Sequence, residues 1–343
     1  KQKMSISLFD PRAMIAALEQ AKPAKTFFLD TFFRQTEAHT TRHVDIDIQK
    51  GKRRLAPFVS PKQQGKLVER LGFTTFTYSP PYVKPKMITT AEDILKRQMG
   101  ETIYQNGMGP QEIAQKMLGK DLATLDEMIV RREEWMAAQA LQTGKVAVVG
   151  DGVDDEIDFS MAGTHLPTLT STDKWDDLAN SQPIEDLEDW AELIAKDSGL
   201  TADVVVMGSG AARKFLENAN VQKQLNIWNQ NLGRIEPGQI APGVRRLGAI
   251  NAVSTIYVYH EWYIDANGVE QPMMGDKLVL VGSTQARAIK HYGAIQDLEC
   301  VGAVPRFPKS WVEKDPSAQL LMLQSAPLPV PHQIDGFVCA TVY

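Results

Sequence analysis

The sequence predicts an α+β fold, and three observations carry that class. The stretch "GKDLATLDEMIVRREEWMAAQALQTG" holds Leu118 (just upstream), Leu122, Leu125, Ile129 and Met136 at helical spacing. Short stretches such as "HVDIDIQ", "ADVVVMG" and "KLVLVG" either alternate with period two or run apolar between turn residues, as strands do. Helices and strands follow one another without a regular βαβ alternation and without an internal repeat.

In chain order, "LFDPRAMIAALEQAKP" predicts a helix, with Asp10 as N-cap, Pro11 in the first turn and Pro23 beyond the end. Thr26–Phe33 is strongly apolar. Residues 43–86 read as two long strands flanking an extended basic loop, an arm that cannot bury its own apolar face. The long helix is expected over 120–143, about 35 Å at ~1.5 Å per residue, with Gly144 as its stop. "KVAVVGDGVDDEIDFS" reads as a hairpin around Gly-Asp-Gly. A second helix follows in "SQPIEDLEDWAELIAKDSG", its acidic residues at the positive end. "ADVVVMG" is a buried strand and "SGAARKFLENANVQKQLNIWNQN" is helical. "INAVSTIYVYHEWYI" and "KLVLVG" are strands around an "ANG" turn. Short strands end the chain in "AQLLMLQSA" and "GFVCATVY".

Composition narrows the function. The chain has 343 residues, 43% of them hydrophobic and 23% charged, so it can form a sizeable core. Its net charge of −5 argues against sequence-specific DNA binding, which relies on Lys and Arg at phosphates. Two cysteines outside any CxxC pair make no disulfide framework and fit a reducing compartment. No membrane span is expected, and no apolar segment of a secretion signal follows "KQK".

The candidates for chemistry are each thin. Gly208 and Gly210 between a strand and a helix are half of a dinucleotide fingerprint, but Arg213 takes the third small position. A tight strand-to-helix turn explains the pair better. P-loop and nucleophile-elbow motifs are absent. His39 and His43, with Glu37 nearby, are four apart, but "HTTRH" lacks the general-base Glu and its threonines disfavour a helix, so no metal is expected there. In "DGVDDEIDF", Asp154, Glu156 and Asp158 share one strand face and Val153, Ile157 and Phe159 the other, without calcium-loop spacing. Ser283, Arg287 and His291 are each four apart, so one helix face could carry them, yet nothing supplies an oxyanion hole or cofactor loop. Neither catalysis nor a cofactor is expected.

Charge is unevenly placed. Residues 42–70 hold eight Lys/Arg and three Asp/Glu, whereas residues 151–203 hold fifteen Asp/Glu and two Lys. Opposite patches on one chain suit a head-to-tail contact that closes into rings. Candidate inter-subunit residues are Lys50, Lys52, Arg53 and Arg54 on the basic side, Asp154, Glu156 and Asp158 on the acidic side, and Arg287.

"TQARAIKHYGAIQD", "RFPKSWV" and "QSAPL" in that order resemble the lambda-type major capsid proteins of tailed bacteriophages. "FLDTFFR", "FVSP", "YVKPK" and "GKVAVVGDGVDDEIDFS" extend the likeness along the chain. The resemblance implies the Hong Kong phage-type capsid fold, with an N-terminal arm (1–42), an E-loop (43–86), a P-domain (87–182) with its spine helix, an A-domain (183–294) and a return to the P-domain (295–343). It implies a non-enzymatic subunit forming hexamers and pentamers of an icosahedral head around double-stranded DNA held non-specifically. Implied partners are further copies of the chain, a trimeric decoration protein, a scaffolding protein and a portal, with no membrane. An encapsulin-like cargo shell and a nucleotide-binding enzyme using Gly208–Gly210 are the alternatives. In the capsid reading, Arg287, Lys290 and His291 are hydrogen-bonding and charge partners within or between subunits.

Overall fold

The computed structural model describes residues 14–15, 18, 26–48, 64, 67, 74–90, 92, 110–228, 238–241, 243–250, 253–265, 267–300, 302–315 and 317–343. The elements in order are α1 (Phe28–Thr31), β1 (Gln35–Ala38), β2 (Val44–Ile48), β3 (Thr74–Tyr78), β4 (Lys86–Thr90), α2 (Pro110–Thr143), β5 (Lys145–Gly150), β6 (Val153–Asp158), α3 (Pro183–Asp197), β7 (Val204–Met207), α4 (Ser209–Glu217), α5 (Ala219–Trp228), β8 (Gly238–Ala241), β9 (Val244–Ile250), β10 (Val253–Tyr259), β11 (Trp262–Ile264), β12 (Glu270–Pro272), β13 (Leu278–Gly282), β14 (Ala288–Tyr292), β15 (Phe307–Lys314), β16 (Ser317–Gln324), β17 (Pro327–Pro331) and β18 (Phe337–Thr341).

The apolar runs of the sequence become the middle of a mixed six-stranded sheet, ordered β18-β13-β7-β10-β9-β8. β7 and β10 are parallel, and β13 lies antiparallel between β7 and β18. Successive side chains leave a strand on opposite faces, so both faces need cover. Val205, Met207, Val279, Val281, Val338 and Ala340 pack under α3 and α4 with Trp175, Trp190 and Phe215. Val204, Val206, Leu280, Phe337 and Cys339 point the other way, onto the aromatic residues of α1 and the end of α2. "TFFLDTFF" is therefore an aromatic plug, with Phe27 and Phe28 each against the ring of Tyr259.

Helix α2 runs for 34 residues, about 51 Å, and starts well before the expected 120. Gly119, just before the expected start, lies inside it. A single interior Gly costs only about 1 kcal/mol, and at this exposed position nothing crowds it. The helix touches three cores in succession. Leu118, Leu122, Leu125 and Ile129 pack on Leu321, Leu323 and the helical Met14. Met136 and Ala140 meet Val146, Ile157 and Leu328. Ala137, Ala138 and Leu141 reach the large sheet. Gly144 ends it with φ +70°, as the sequence predicts.

Three further expectations change. The helical stretch after Gly208 breaks at Asn218, whose side-chain oxygen accepts the amides of Asn220 and Val221 and so caps α5. The "ANG" turn joins β11 to β12, with Asp265 accepting the amides of Asn267 and Val269; "KLVLVG" is instead claimed by β7 and β18. Residues 282–292 form a turn and then strand β14, not a helix. β14 sits between β1 (parallel) and β17 (antiparallel), so Ser283, Arg287 and His291 share no helix face. Ser283 and His291 are buried and Arg287 is exposed.

Candidate assembly surface

Hairpin β5–β6 is built like a strand pair that has lost its cover. At its base, Val146 and Ile157 face each other inside the core beneath α2. The same face continues outward through Val148, Asp155 and Val153, and there it is open. Val153 is 50% exposed, and Val149 on the other face is 74% exposed. Across from the open face lies the outer side of the sheet β15-β16-β4, with Trp311, Met322 and Gln324. Between them runs an open groove of about 750 Å³, lined also by Ser79–Tyr82. Arg42, Lys84 and Lys86 line it together with Asp155 and Asp297. Exposed valines and a tryptophan beside cations are what a protein–protein interface presents before its partner arrives.

The groove wall is held rigid by ion pairs. Asp297 accepts both hydrogen bonds of the Lys309 ammonium at 3.0 Å and one from Gln324 at 2.9 Å. Gln324 in turn accepts the hydroxyl of Tyr82. Behind the wall, Arg306 donates to Asp126 at 2.9 Å and to Glu133 at 2.7 Å, with its plane over Tyr292.

The predicted contact residues divide. Lys50, Lys52, Arg53 and Arg54 lie outside the described residues. Asp154, Glu156 and Asp158 do share one exposed face of the hairpin, the face of Val149 and opposite the groove. Glu156 and Asp158 also hold the Lys145 ammonium, at 2.7 and 3.3 Å. Arg287 is exposed, its amide donating to the Gln333 side chain.

Gly208 caps α4, but a side-chain carbon there would run into the carbonyls of Gly275 and Asp276, and one at Gly210 into the hydroxyl of Tyr343. The Asp276 carbonyl accepts the Ala211 amide at 2.8 Å, and its carboxylate accepts the Ser209 hydroxyl. Gly208 thus makes room for backbone carbonyls and Gly210 for the Tyr343 side chain, which accounts for both glycines.

His39 finds His291 rather than His43. Its Nε2 lies 2.8 Å from Nδ1 of His291, whose Nε2 lies 3.0 Å from Nε2 of His332. Burial, then the neighbouring His39, pushes His291 down to about 4, against the upward pull of Glu37. Burial, then His291 and Arg287, does the same for His332. Both rings are thus neutral at pH 7. Unfolding lets them bind protons at ordinary values near ~6.5. The stability they contribute is complete above that pH and is lost as pH falls toward 4. The melting temperature is expected to fall through that window, and to fall less in His332→Gln, as differential scanning fluorimetry would read.

The profile of the family Phage major capsid protein E matches residues 10–342. The chain belongs to that family. The capsid protein is 29% identical over 356 residues to the major capsid protein of Enterobacteria phage P21, covering 98% of this chain and all of the relative. It is 29% identical over 343 residues to that of Escherichia phage lambda, covering 97% and 98%. Among solved structures, the putative capsid protein of an E. coli CFT073 prophage superposes with a TM-score of 0.75 at 22% identity, over 97% of this chain and 99% of that one. The fold is the tailed-phage capsid type, the role structural, and the location the phage head. Among the described residues no helix is long and apolar enough to cross a membrane. The sequence missed the groove because its walls come from separate parts of the chain, β5–β6 on one side and β4, β15 and β16 on the other; the one usable signal was apolar Val148, Val149 and Val153 around a tight turn.

Proposed function

We propose that this capsid protein builds hexamers and pentamers of an icosahedral head enclosing double-stranded DNA, and that it does so without catalysis. The open groove between hairpin β5–β6 and the sheet β15-β16-β4 supports this reading best, with a second copy of the chain as its occupant. Residues 43–86 act as the E-loop that reaches the neighbour, 1–42 as the arm, 87–182 and 295–343 as the P-domain around α2, and 183–294 as the A-domain. The net charge of −5 leaves packaged DNA free to move, since like charge does not grip phosphate. A trimeric decoration protein, a scaffolding protein and a portal complete the proposed partner set. Electron microscopy of the purified chain is the test: closed shells or capsomers are expected, and persistent monomers would sink the proposal. Protein cargo in place of DNA in particles from the native host would instead mark an encapsulin-like compartment.

Lys50, Lys52, Arg53 and Arg54 are proposed to face acidic residues of the neighbour, Asp154, Glu156 and Asp158 among them, with Arg287 at a second contact. Reversing Lys52, Arg53 and Arg54 to Glu is expected to impair assembly, most clearly at low salt, where screening is weakest. Light scattering during assembly reads this, and an unchanged yield across salt concentrations would remove the charge argument.

A further inference from the structure

The cluster of Glu37, His39 and His291 lies outside the groove described above. Its geometry follows from strand pairing. β1 runs parallel to β14 with Glu37 directly opposite His291. Glu37 and His39 are two residues apart in extended chain, so their side chains leave on the same side. The His39 amide donates to the Tyr292 carbonyl at 2.8 Å, which fixes the backbone just past the strand. His39 Nε2 then lies 2.8 Å from His291 Nδ1, and Glu37 Oε2 lies 3.8 Å from the same nitrogen. All three ligand atoms fall within 4.8 Å of one another.

We propose that Glu37, His39 and His291 bind one divalent cation of the zinc and cobalt class, leaving a solvent-facing position for water. The donor set decides the class. Two imidazole nitrogens and one carboxylate suit Zn(II) and Co(II), whereas Ca(II) and Mg(II) need mostly oxygen. The span is right within side-chain adjustment. Ligands about 2.0–2.1 Å from a tetrahedral ion stand roughly 3.3 Å apart. The His–His separation must open by about half an ångström and the carboxylate must close by a similar amount. Glu37 is half-exposed and leaves a path from solvent, while His291 is only 2% exposed and is held by the core.

A second layer stands behind the first. With its Nδ1 on a metal, His291 carries its proton on Nε2 and donates it to Nε2 of His332. An imidazole ligand commonly has such a partner, which fixes its tautomer and orientation. His332 then carries its own proton on Nδ1, a buried nitrogen without a protein partner. A bound ion would tie β1 to β14 across 252 residues of sequence.

Co(II) titration of the full-length protein tests this by visible absorption. One equivalent per chain with an imidazole-type d–d spectrum is expected, together with a rise in melting temperature on adding Zn(II). Glu37→Gln and His39→Gln alter partly exposed side chains and should fold, as circular dichroism would verify. Each is expected to weaken Co(II) binding tenfold or more and to abolish the Zn(II) shift. His332→Gln is expected to weaken binding about tenfold by loosening His291, while His260→Gln, at an exposed histidine, leaves it unchanged. No cobalt spectrum at millimolar Co(II), or equal binding by wild type, Glu37→Gln and His39→Gln, would overturn the proposal. Shell formation is scored separately by microscopy, so a failed titration leaves the assembly reading standing.

Discussion

Arg306→Met is expected to destabilise the capsid protein by about 3–5 kcal/mol, the cost of leaving a buried charge without its partner. Glu133 is only 4% exposed, and its carboxylate faces the guanidinium at 2.7 Å. The same guanidinium donates to Asp126 and to the Ser325 hydroxyl, and lies over the Tyr292 ring. Burial alone would lower the Arg306 pKa, but the charge and hydrogen bond of Glu133 outweigh it and hold the group above its ordinary value. Methionine fills part of the space and removes every donor. The double variant Arg306→Met, Glu133→Leu is expected to recover much of the loss, because a buried pair replaced whole by apolar groups is often neutral. Urea unfolding of the three proteins reads both numbers; a loss below 1 kcal/mol in the single variant would show that water already solvates Glu133.

Glu134→Ala is expected to cost about 3 kcal/mol or more, since each buried amide left without an acceptor costs about 1–3 kcal/mol. Glu134 is buried in α2, where its Oε1 accepts the amides of Phe27 at 2.9 Å and Phe28 at 2.7 Å, and its Oε2 that of Leu29 at 3.1 Å. The Tyr259 hydroxyl adds a fourth contact at 3.2 Å. Burial pushes the carboxyl up, and the amides of Phe28, Leu29 and Phe27 pull it back. The carboxylate thus supplies the open amides at the start of α1 with the acceptor they lack inside the chain. Glutamine keeps one carbonyl but turns an NH₂ toward an amide, so Glu134→Gln is expected to fall between alanine and wild type. Loss of α1 should show first as cleavage by limited proteolysis near residues 26–34. Proteolytic resistance and melting temperature equal to wild type would contradict the capping role.

Much of the architecture was legible because it is local. β7 and β13 are apolar on both faces, and the sequence shows them as unbroken runs. Alternation placed Asp154, Glu156 and Asp158 on one face of β6, and Gly144 at the end of α2. What stayed hidden depends on distant partners. Glu133 and Glu134 look like solvated helix residues until Arg306, 173 positions on, and Phe27–Leu29, over a hundred positions back, are brought to them. The spacing of Ser283, Arg287 and His291 satisfies a helix by coincidence; pairing with β1 and β17 makes the segment a strand. The histidine trio has no sequence signature, since positions 39, 291 and 332 meet only through the pairing of β14 and the turn after β17.

The order of the large sheet also governs when the molecule can become itself. β18 forms the sheet edge that covers β13, and Phe337 closes the aromatic plug begun by Phe32. Contacts between segments this far apart in sequence form late, because the intervening loop must first be closed. Until β18 pairs, β13 is itself the edge of the sheet and its apolar side chains lack that cover. The core shared by Phe32 and Phe337 therefore closes only once β18 has docked on β13.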